Sequence, residues 1–154
     1  MPTLRLTETG IAIDDRRHGE EITLAEWREG VRPEAGRFEL SVPNTENIEA
    51  LADVIRQFAA IILEFPTFQD GRAYSQARIL RERLNFQGEI RARGAVLCDQ
   101  ALFMVRAGFD ALDIGNGDPD GFKRAIAAYS VFYQPAADKS VPVRDLRAAR
   151  RVAA

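Results

Sequence analysis

A complete strand, turn and helix are encoded by the stretch Ala59-Ala-Ile-Ile-Leu-Glu-Phe-Pro-Thr-Phe-Gln-Asp-Gly-Arg-Ala-Tyr-Ser-Gln-Ala-Arg-Ile-Leu-Arg81. The apolar run Ala59–Phe65 has the length and the branched side chains of a buried strand. Asp70 and Gly71 are a turn signal, and small or apolar residues then recur at helical spacing. The stretch therefore predicts one βα unit.

The same alternation of strand and helix recurs from residue 37 to residue 133. The predicted strands are Arg37–Val42, Ala59–Phe65, Gly88–Arg93 and Asp110–Ile114. Each is followed by apolar residues at helical spacing, which are Ile48, Leu51, Ile55 and Phe58 after the candidate caps Asn44 and Thr45; Ala73, Ala77, Leu80 and Leu84; Leu97, Ala101 and Met104 before Gly108; and Phe122, Ala125, Ile126, Tyr129 and Tyr133 after Asp118 and Pro119. Four consecutive βα units predict parallel strands with right-handed crossovers.

The strand sequences favour helices on one side of the sheet. In the first strand Leu40 and Val42 alternate with Glu39 and Ser41, so the two faces differ. Over four strands, one face collects Glu39, Ser41, Glu64, Arg91, Arg93 and Asp113. A doubly wound sheet has two apolar faces, and so the pattern predicts an α/β fold resembling half of a (βα)8 barrel, with a polar concave face.

Charges on that face must pair with one another, meet solvent or meet a ligand, because burying them unpaired costs several kcal/mol each. One interpretation is a structural Glu–Arg–Asp network, closed by the N-terminal segment or by a second subunit. The other is a binding site. The exposed edge strands of a half-barrel also predict self-association, most simply as a homodimer.

Two further segments flank the predicted (βα)4 domain of residues 37–133. Residues 1–36 are predicted as a β-rich appendage, with a hairpin made by Leu4–Thr7 and Gly10–Asp14, and a strand that leads into a helical turn at Glu21–Trp27. Residues 134–154 are a polar tail, predicted as a short helix or as disordered.

Composition limits the classes of function. The chain has 154 residues, 46% of them hydrophobic, which fits one domain. Its net charge of −2 gives no overall electrostatic field that would attract nucleic acid. The single cysteine, Cys98, excludes an internal disulfide and a cysteine-based cluster. No run is long enough to span a bilayer. We therefore expect a cytoplasmic protein without a metal or cofactor, a membrane partner or a nucleic-acid partner.

The carboxyl ends of parallel strands are where ligands gather, and the opening stretch reaches that end of the sheet. Its turn and the helix behind it predict a small-anion site, to which the neighbouring strand and helix contribute. The predicted ligand-binding residues are Asp70, Gly71, Arg72, Ser75, Arg78, Arg91, Arg93, Asp99 and Gln100. Arg81 and Arg83 are interpreted as solvated, with Glu82 as a local partner.

An enzyme is the alternative hypothesis. It would use Glu64 or Asp113 as a general base, with an arginine holding the substrate and the Tyr74 hydroxyl as a hydrogen-bond donor. Cys98 is interpreted as a packing residue. The loop from Gly115 to Gly121 is interpreted as a turn with a helix cap, and no G-x-G-x-x-G fingerprint follows a strand.

The residues Phe65-Pro-x-Phe-x-Asp-Gly-Arg-x-Tyr-Ser-x-Ala-Arg-x-Leu-Arg81, followed by Gly-Glu-Ile-Arg-Ala-x-Gly, Asp99-Gln and Gly108-Phe-Asp, carry a family resemblance. From about Leu24 to Tyr133 the chain resembles a bacterial family of unknown function whose members are labelled as oxidoreductases of sulfite reduction. The resemblance implies an accessory role in assimilatory sulfite reduction, with sulfite reductase or its electron donor as partner. It implies no catalytic residue. A purely structural subunit is a third possibility.

Overall fold

The computed structural model describes residues 2–7, 10–32, 38–138 and 140–152. The strands are β1 Thr3–Thr7, β2 Gly10–Ile13, β3 Glu20–Thr23, β4 Phe38–Val42, β5 Ala60–Phe65, β6 Glu89–Gly94 and β7 Ala111–Asp113. The helices are α1 Leu24–Arg28, α2 Arg72–Arg78, α3 Ala101–Ala107, α4 Pro119–Ile126 and α5 Val143–Val152. A π-helical turn, Ile79–Arg83, extends α2, and the 3-10 turns Ile48–Leu51, Ile55–Gln57 and Cys98–Gln100 complete the helical structure described.

The protein has a mixed α/β fold built on one seven-stranded sheet, with the strand order β2-β1-β7-β6-β5-β4-β3. Strands β3 to β7 are parallel and lie side by side in chain order. The four predicted strands are all present within one or two residues of their predicted bounds, although Arg37 lies outside the described residues. The sequential order is the one expected of consecutive right-handed βα units.

The N-terminal segment is part of this sheet. The predicted hairpin forms as β1 and β2, and β1 also pairs antiparallel with β7. On the opposite edge, β3 pairs parallel with β4 before the chain enters α1. Residues 3–23 therefore supply three of the seven strands and belong to the sheet, whereas the sequence predicted an appendage. The sequence also predicts a connection at Arg32–Gly36, and all of it except Arg32 lies outside the described residues.

The two faces of the sheet differ as the alternation predicts. One face packs against the helices and forms a continuous core that includes Leu4, Ile22, Leu40, Val42, Ile61, Leu63, Phe65, Ile90, Ala92 and Leu112. The other, here called the polar face, carries Thr3, Arg5, Glu21, Glu39, Ser41, Glu64, Glu89, Arg91, Arg93 and Asp113.

The connection between β2 and β3 requires a curved sheet. These strands form opposite edges, six strand spacings apart, which is about 29 Å in a flat sheet. Seven residue steps lead from Ile13 to Glu20, and they reach at most about 25 Å. The edges must therefore bend toward each other, and the polar face is the concave one because residues 14–19 contact it.

The helix after β4 differs from the prediction. Instead of one α-helix capped by Asn44 or Thr45, the chain forms two 3-10 turns, and the cap is Asn47, whose side chain accepts a hydrogen bond from the Glu49 amide at 3.0 Å. The predicted apolar residues Ile48, Leu51, Ile55 and Phe58 are nevertheless all buried. Spacing of three to four residues serves either helix type, so periodicity did not separate them.

The helix after β7 is shorter than predicted. Asp118 caps it, with its side chain accepting from the amides of Asp120 and Gly121, and Pro119 occupies the first turn as expected. The helix ends at Ile126, so Tyr129 and Tyr133 are not part of its buried stripe and are exposed. The chain instead turns back at Phe132, whose carbonyl accepts from the Val143 amide at 2.8 Å. The helical alternative predicted for the tail is present as α5.

Candidate functional site

The centre of the polar face is an ion pair with no exposure to solvent. The guanidinium of Arg91 donates to both carboxylate oxygens of Glu39, at 2.8 and 3.0 Å, and both side chains are 0% exposed. Arg91 also donates to Glu89, at 2.7 and 3.0 Å. The bidentate contact between the buried side chains of Arg91 and Glu39 fixes β4 and β6 relative to each other across β5.

Residues 14–19, called the strap, close this end of the polar face. Arg5 donates to the carbonyls of Asp14 and Arg16, and the His18 amide donates to Glu39 at 2.6 Å. The His18 ring lies 3.0 Å from Glu89, to which Arg5 also donates at 2.6 Å. The network interpretation of the buried charges, closed by the N-terminal segment, thus describes this half of the face.

The electrostatics of Glu89 follow from these contacts. Burial by itself raises the pKa of a carboxyl, but hydrogen bonds from Arg5 and His18 and the charge of Arg91 outweigh burial and lower the pKa of Glu89 to about 2. Glu89 is therefore a carboxylate throughout the physiological range.

Arg93 is held in the same way. It donates to Glu21 of β3 at 2.5 and 2.8 Å and lies 3.4 Å from Asp113, which accepts a hydrogen bond from the Thr3 hydroxyl at 2.7 Å. The contact joins strands that are three places apart in the sheet, in keeping with its curvature. Because Arg91 and Arg93 both have carboxylate partners, neither offers a free cation to an anionic ligand.

The turn after β5 also neutralises its own charge. Asp70 accepts from the side chain of Arg72 at 2.9 and 2.5 Å, and this contact lowers the pKa of Asp70 far below its ordinary value. Gly71 precedes α2, and Ser75 is exposed on that helix. The structure does not bring this turn to Arg91 and Arg93, since those two arginines bind carboxylates of the polar face.

Four of the predicted residues do come together in a groove between α2 and α3, called the Tyr74 groove. It has a volume of about 660 Å³ and is lined by Tyr74, Arg78, Asp99, Gln100, Phe103, Arg106, Ala107 and residues 134–136. This groove lies among helices, not on the polar face. Arg78 is exposed and forms an ion pair with Glu82, at 3.1 Å.

Polar groups on the groove wall have unused bonding capacity. The Tyr74 ring packs edge-on against Phe65, with the centroids 5.1 Å apart, and burial followed by the charge of Asp99 raises the pKa of its hydroxyl. The phenol thus stays protonated. Gln100 donates to the Phe68 carbonyl at 3.2 Å, while its buried Oε1 has no partner among the described residues.

Arg106 builds the opposite wall. It donates to the Gln134 carbonyl at 2.7 Å and to Asp138 at 3.1 Å, contacts the Ser140 hydroxyl, and lies over the Phe132 ring at 3.9 Å. These contacts fold the chain after α4 back onto α3. The role of Arg106 was not predicted, since no local pattern distinguishes it from a solvated helix residue.

Apolar side chains form the rim of the groove. Phe103 is 69% exposed and lines the groove, and Phe68, whose carbonyl accepts a hydrogen bond from Gln100, is 50% exposed. Tyr133, which precedes the lining residue Gln134 in the chain, is 79% exposed. Leu97, predicted for the core, is exposed as well. Phe103 was not predicted as a site residue. It lies outside the buried stripe of Ala101 and Met104, and an aromatic residue on the exposed side of a helix is a recognisable signal of a binding surface.

A second cavity, of about 720 Å³, lies at the amino end of β6 and β7 and is lined by Arg81, Asp110, Gln87 and other residues. Arg81 donates to the carbonyls of Phe86, Gly88 and Gly108 and contacts Asp110. The interpretation of Arg81 as solvated is therefore wrong, because three backbone carbonyls left by adjoining loops require a donor. Arg83 is exposed and pairs with Glu49 at 2.6 Å.

The described part of the chain contains no group of histidine, cysteine and carboxylate side chains arranged to hold a metal ion. Within that same part, every helix is too short or too polar to cross a bilayer.

Comparison with known families identifies the chain. The profile of a family described as bacterial protein of unknown function (DUF934) matches residues 39–144, and the chain belongs to this family. Comparison with curated proteins finds no match. The family description names no reaction, so the function must be argued from the site.

Proposed function

We propose that this protein is an accessory component of assimilatory sulfite reduction in the cytoplasm, and that it binds a partner protein through the Tyr74 groove. The pathway comes from the resemblance described above, and the partner is sulfite reductase or its electron donor. The observation that carries the binding role is the exposed apolar rim, where Phe103 lines the groove together with Tyr74 and Gln100.

Such a rim fits a protein partner because aromatic side chains at the centre of an interface supply most of its binding energy. The Tyr74 hydroxyl, which lies on the groove wall, adds a hydrogen-bond donor that a carbonyl of a partner's backbone can satisfy. Arg78 and Asp99 supply charges of both signs at the edge of the contact.

A small anion is supported less well as the ligand. Arg72, Arg91 and Arg93 each have a carboxylate partner, and an anion would have to displace that partner. Calorimetry with sulfite and sulfate checks this part of the proposal, since saturable binding that Arg72→Gln abolishes would favour the anion over the protein partner.

The partner proposal is tested with Phe103→Ala and the matched control Tyr129→Ala. Both residues are exposed aromatics, but Tyr129 does not line the groove. We expect Phe103→Ala to weaken binding to purified sulfite reductase or its electron donor about 10- to 30-fold, which corresponds to the loss of one anchor residue. Tyr129→Ala should bind as the unmodified protein does.

A growth experiment tests the role in sulfite reduction separately from the role of the Tyr74 groove. A strain without the gene should grow poorly with sulfite as sulfur source and normally with cysteine, and Phe103→Ala should restore growth less well than Tyr129→Ala. Normal growth on sulfite without the gene would refute the role in the pathway. Equal binding by both variants would refute the groove as the interface.

An enzyme on a barrel fragment is the second candidate, and it requires the curved sheet to act as half of a barrel. Glu64 favours it, since this partly buried carboxylate accepts from the Ser41 hydroxyl at 3.0 Å and has no ion-pair partner within the described ranges. Arg93 would have to exchange its carboxylate partners Glu21 and Asp113 for the substrate. Glu64→Gln should then abolish the function in the growth test while leaving partner binding unchanged; unimpaired growth excludes this candidate. The third possibility, a structural subunit, predicts that neither Phe103→Ala nor Glu64→Gln changes growth on sulfite.

A further inference from the structure

We infer that the free edge of β2 pairs with the β2 edge of a second copy of this chain, so that the protein forms a two-fold dimer with a sheet continuous across both protomers. This inference does not depend on the Tyr74 groove. It rests on which backbone groups β2 leaves unpaired and on the side chains along that edge.

β2 is an end strand of the sheet and pairs only with β1 among the described strands. The Asp14 amide donates to the Thr3 carbonyl at 2.8 Å. Hydrogen-bonded and non-hydrogen-bonded pairs alternate along an antiparallel ladder. The next residues to bond β1 are therefore Ala12 and Gly10, and the amides and carbonyls of Ile11 and Ile13 point away from the sheet.

Two such edges are complementary to each other. With the two-fold axis at Ala12, Ile11 of one protomer faces Ile13 of its partner, and each of these two pairs exchanges two hydrogen bonds. Ile11 and Ile13 lie on the helix side of the sheet, opposite Leu6 and Leu4. The same pairing therefore brings four branched side chains together, a favourable cross-strand combination, and covers Ile13, which is 43% exposed.

The side chains of the two edges show why β2, and not β3, is the pairing edge. β2 reads Gly-Ile-Ala-Ile and carries no charge, whereas β3 begins with Glu20 and Glu21, both exposed. Charged residues on an edge are a common protection against pairing. In a two-fold β3 contact, carboxylates of one copy would approach those of the other.

The inferred register is tested by cross-linking. Ala12 faces Ala12 of the partner in a non-hydrogen-bonded pair, where the Cα atoms lie about 4.5 Å apart, within the range for a disulfide of about 4.4–6.8 Å. In a Cys98→Ala background, Ala12→Cys should form a disulfide-linked dimer under mild oxidation. Glu20→Cys, an exposed position on the other edge, is the matched control and should stay uncross-linked.

Sedimentation tests the contact without a cross-link. The unmodified protein should be a dimer at micromolar concentration. Ile13→Pro removes an amide that has no hydrogen-bond acceptor within the described part of the chain, so this variant should be monomeric with an unchanged circular dichroism spectrum. Val131→Lys, at an exposed apolar position elsewhere, should remain dimeric. A monomeric unmodified protein would overturn the inference, and so would a dimer that fails to cross-link at Ala12 or survives Ile13→Pro.

Discussion

Replacing Arg91 by methionine should be among the most destabilising single changes in this protein. The substitution keeps most of the side-chain volume but leaves the Glu39 carboxylate, which is 0% exposed, without the guanidinium that binds both of its oxygens. The Glu39 carboxylate keeps the His18 amide as a donor, which does not neutralise its charge.

The expected loss follows from the burial of the pair. Removing one member of a buried ion pair costs about 3–5 kcal/mol, because the remaining charge stays desolvated. Domains of this size have about 5–15 kcal/mol of stability in total. At about 2–4 °C per kcal/mol for a chain of this length, the melting temperature should fall by roughly 6–20 °C.

Urea unfolding followed by circular dichroism measures this loss, and a double-mutant cycle assigns it. The Arg91→Met/Glu39→Gln double variant should recover part of the stability, since the buried group left behind is then neutral. Arg83→Met is the control, because Arg83 pairs with Glu49 on the surface and should cost less than about 1 kcal/mol. A loss for Arg91→Met no larger than that of the control would refute the view that the buried pair fixes the sheet.

Three further outcomes are expected. The pKa of Glu89 is lowered from 4.5 to about 2, so the ionised carboxylate contributes about 3 kcal/mol to the free energy of unfolding. This contribution is fully present above pH 4.5 and is lost as the pH falls toward 2. Urea titrations across this range should show the loss, and the free energy of unfolding of Glu89→Gln should depend less on pH there. Gly94→Ala should destabilise the fold by more than about 2 kcal/mol, since Gly94 has φ +101° and a β-carbon would overlap the Phe65 carbonyl, whereas Gly30→Ala, at φ +93° with open space around it, should cost clearly less in the same assay. The Tyr74 phenol should titrate above its ordinary pKa, and Asp99→Asn should lower the midpoint measured by ultraviolet absorbance, because burial and then Asp99 cause the shift; no change in that variant would show that Asp99 does not act on the phenol.

The parallel strands were predictable because apolar and polar residues alternate along them, and this alternation indicates a sheet with one apolar and one polar face. Leu40 and Glu39 point to opposite sides in any register, so the polar face could be assembled from the sequence before its partners were known. The position of β1 was not predictable in this way. Arg5 alternates with Leu4 and Leu6 as Glu39 does with Leu40, but only the long-range pairing of β1 with β7 places Arg5 beside Glu89.

Part of the predicted site lies together in the structure, because chain order determines which helix starts are neighbours. Tyr74, Asp99 and Gln100 meet because they begin consecutive helices, and the chain order of βα units brings such positions together. Arg91 and Arg93 were grouped with Arg72 because all three lie near strand ends. A strand residue, however, points to one face only, and these two point to the polar face, away from α2.

The contacts of Glu39 show that the N-terminal segment and the family region are one structural unit. The family match begins at Glu39, yet this carboxylate accepts from the His18 amide, and its partner Arg91 shares Glu89 with Arg5. The buried charges of the matched region are therefore satisfied by residues that precede it. Without the strap, Glu39 and Arg91 would face the concave side with fewer hydrogen bonds and more water. The strap also holds the sheet edges within reach of each other, and so it maintains the curvature that lets Arg93 bind Glu21 across two intervening strands.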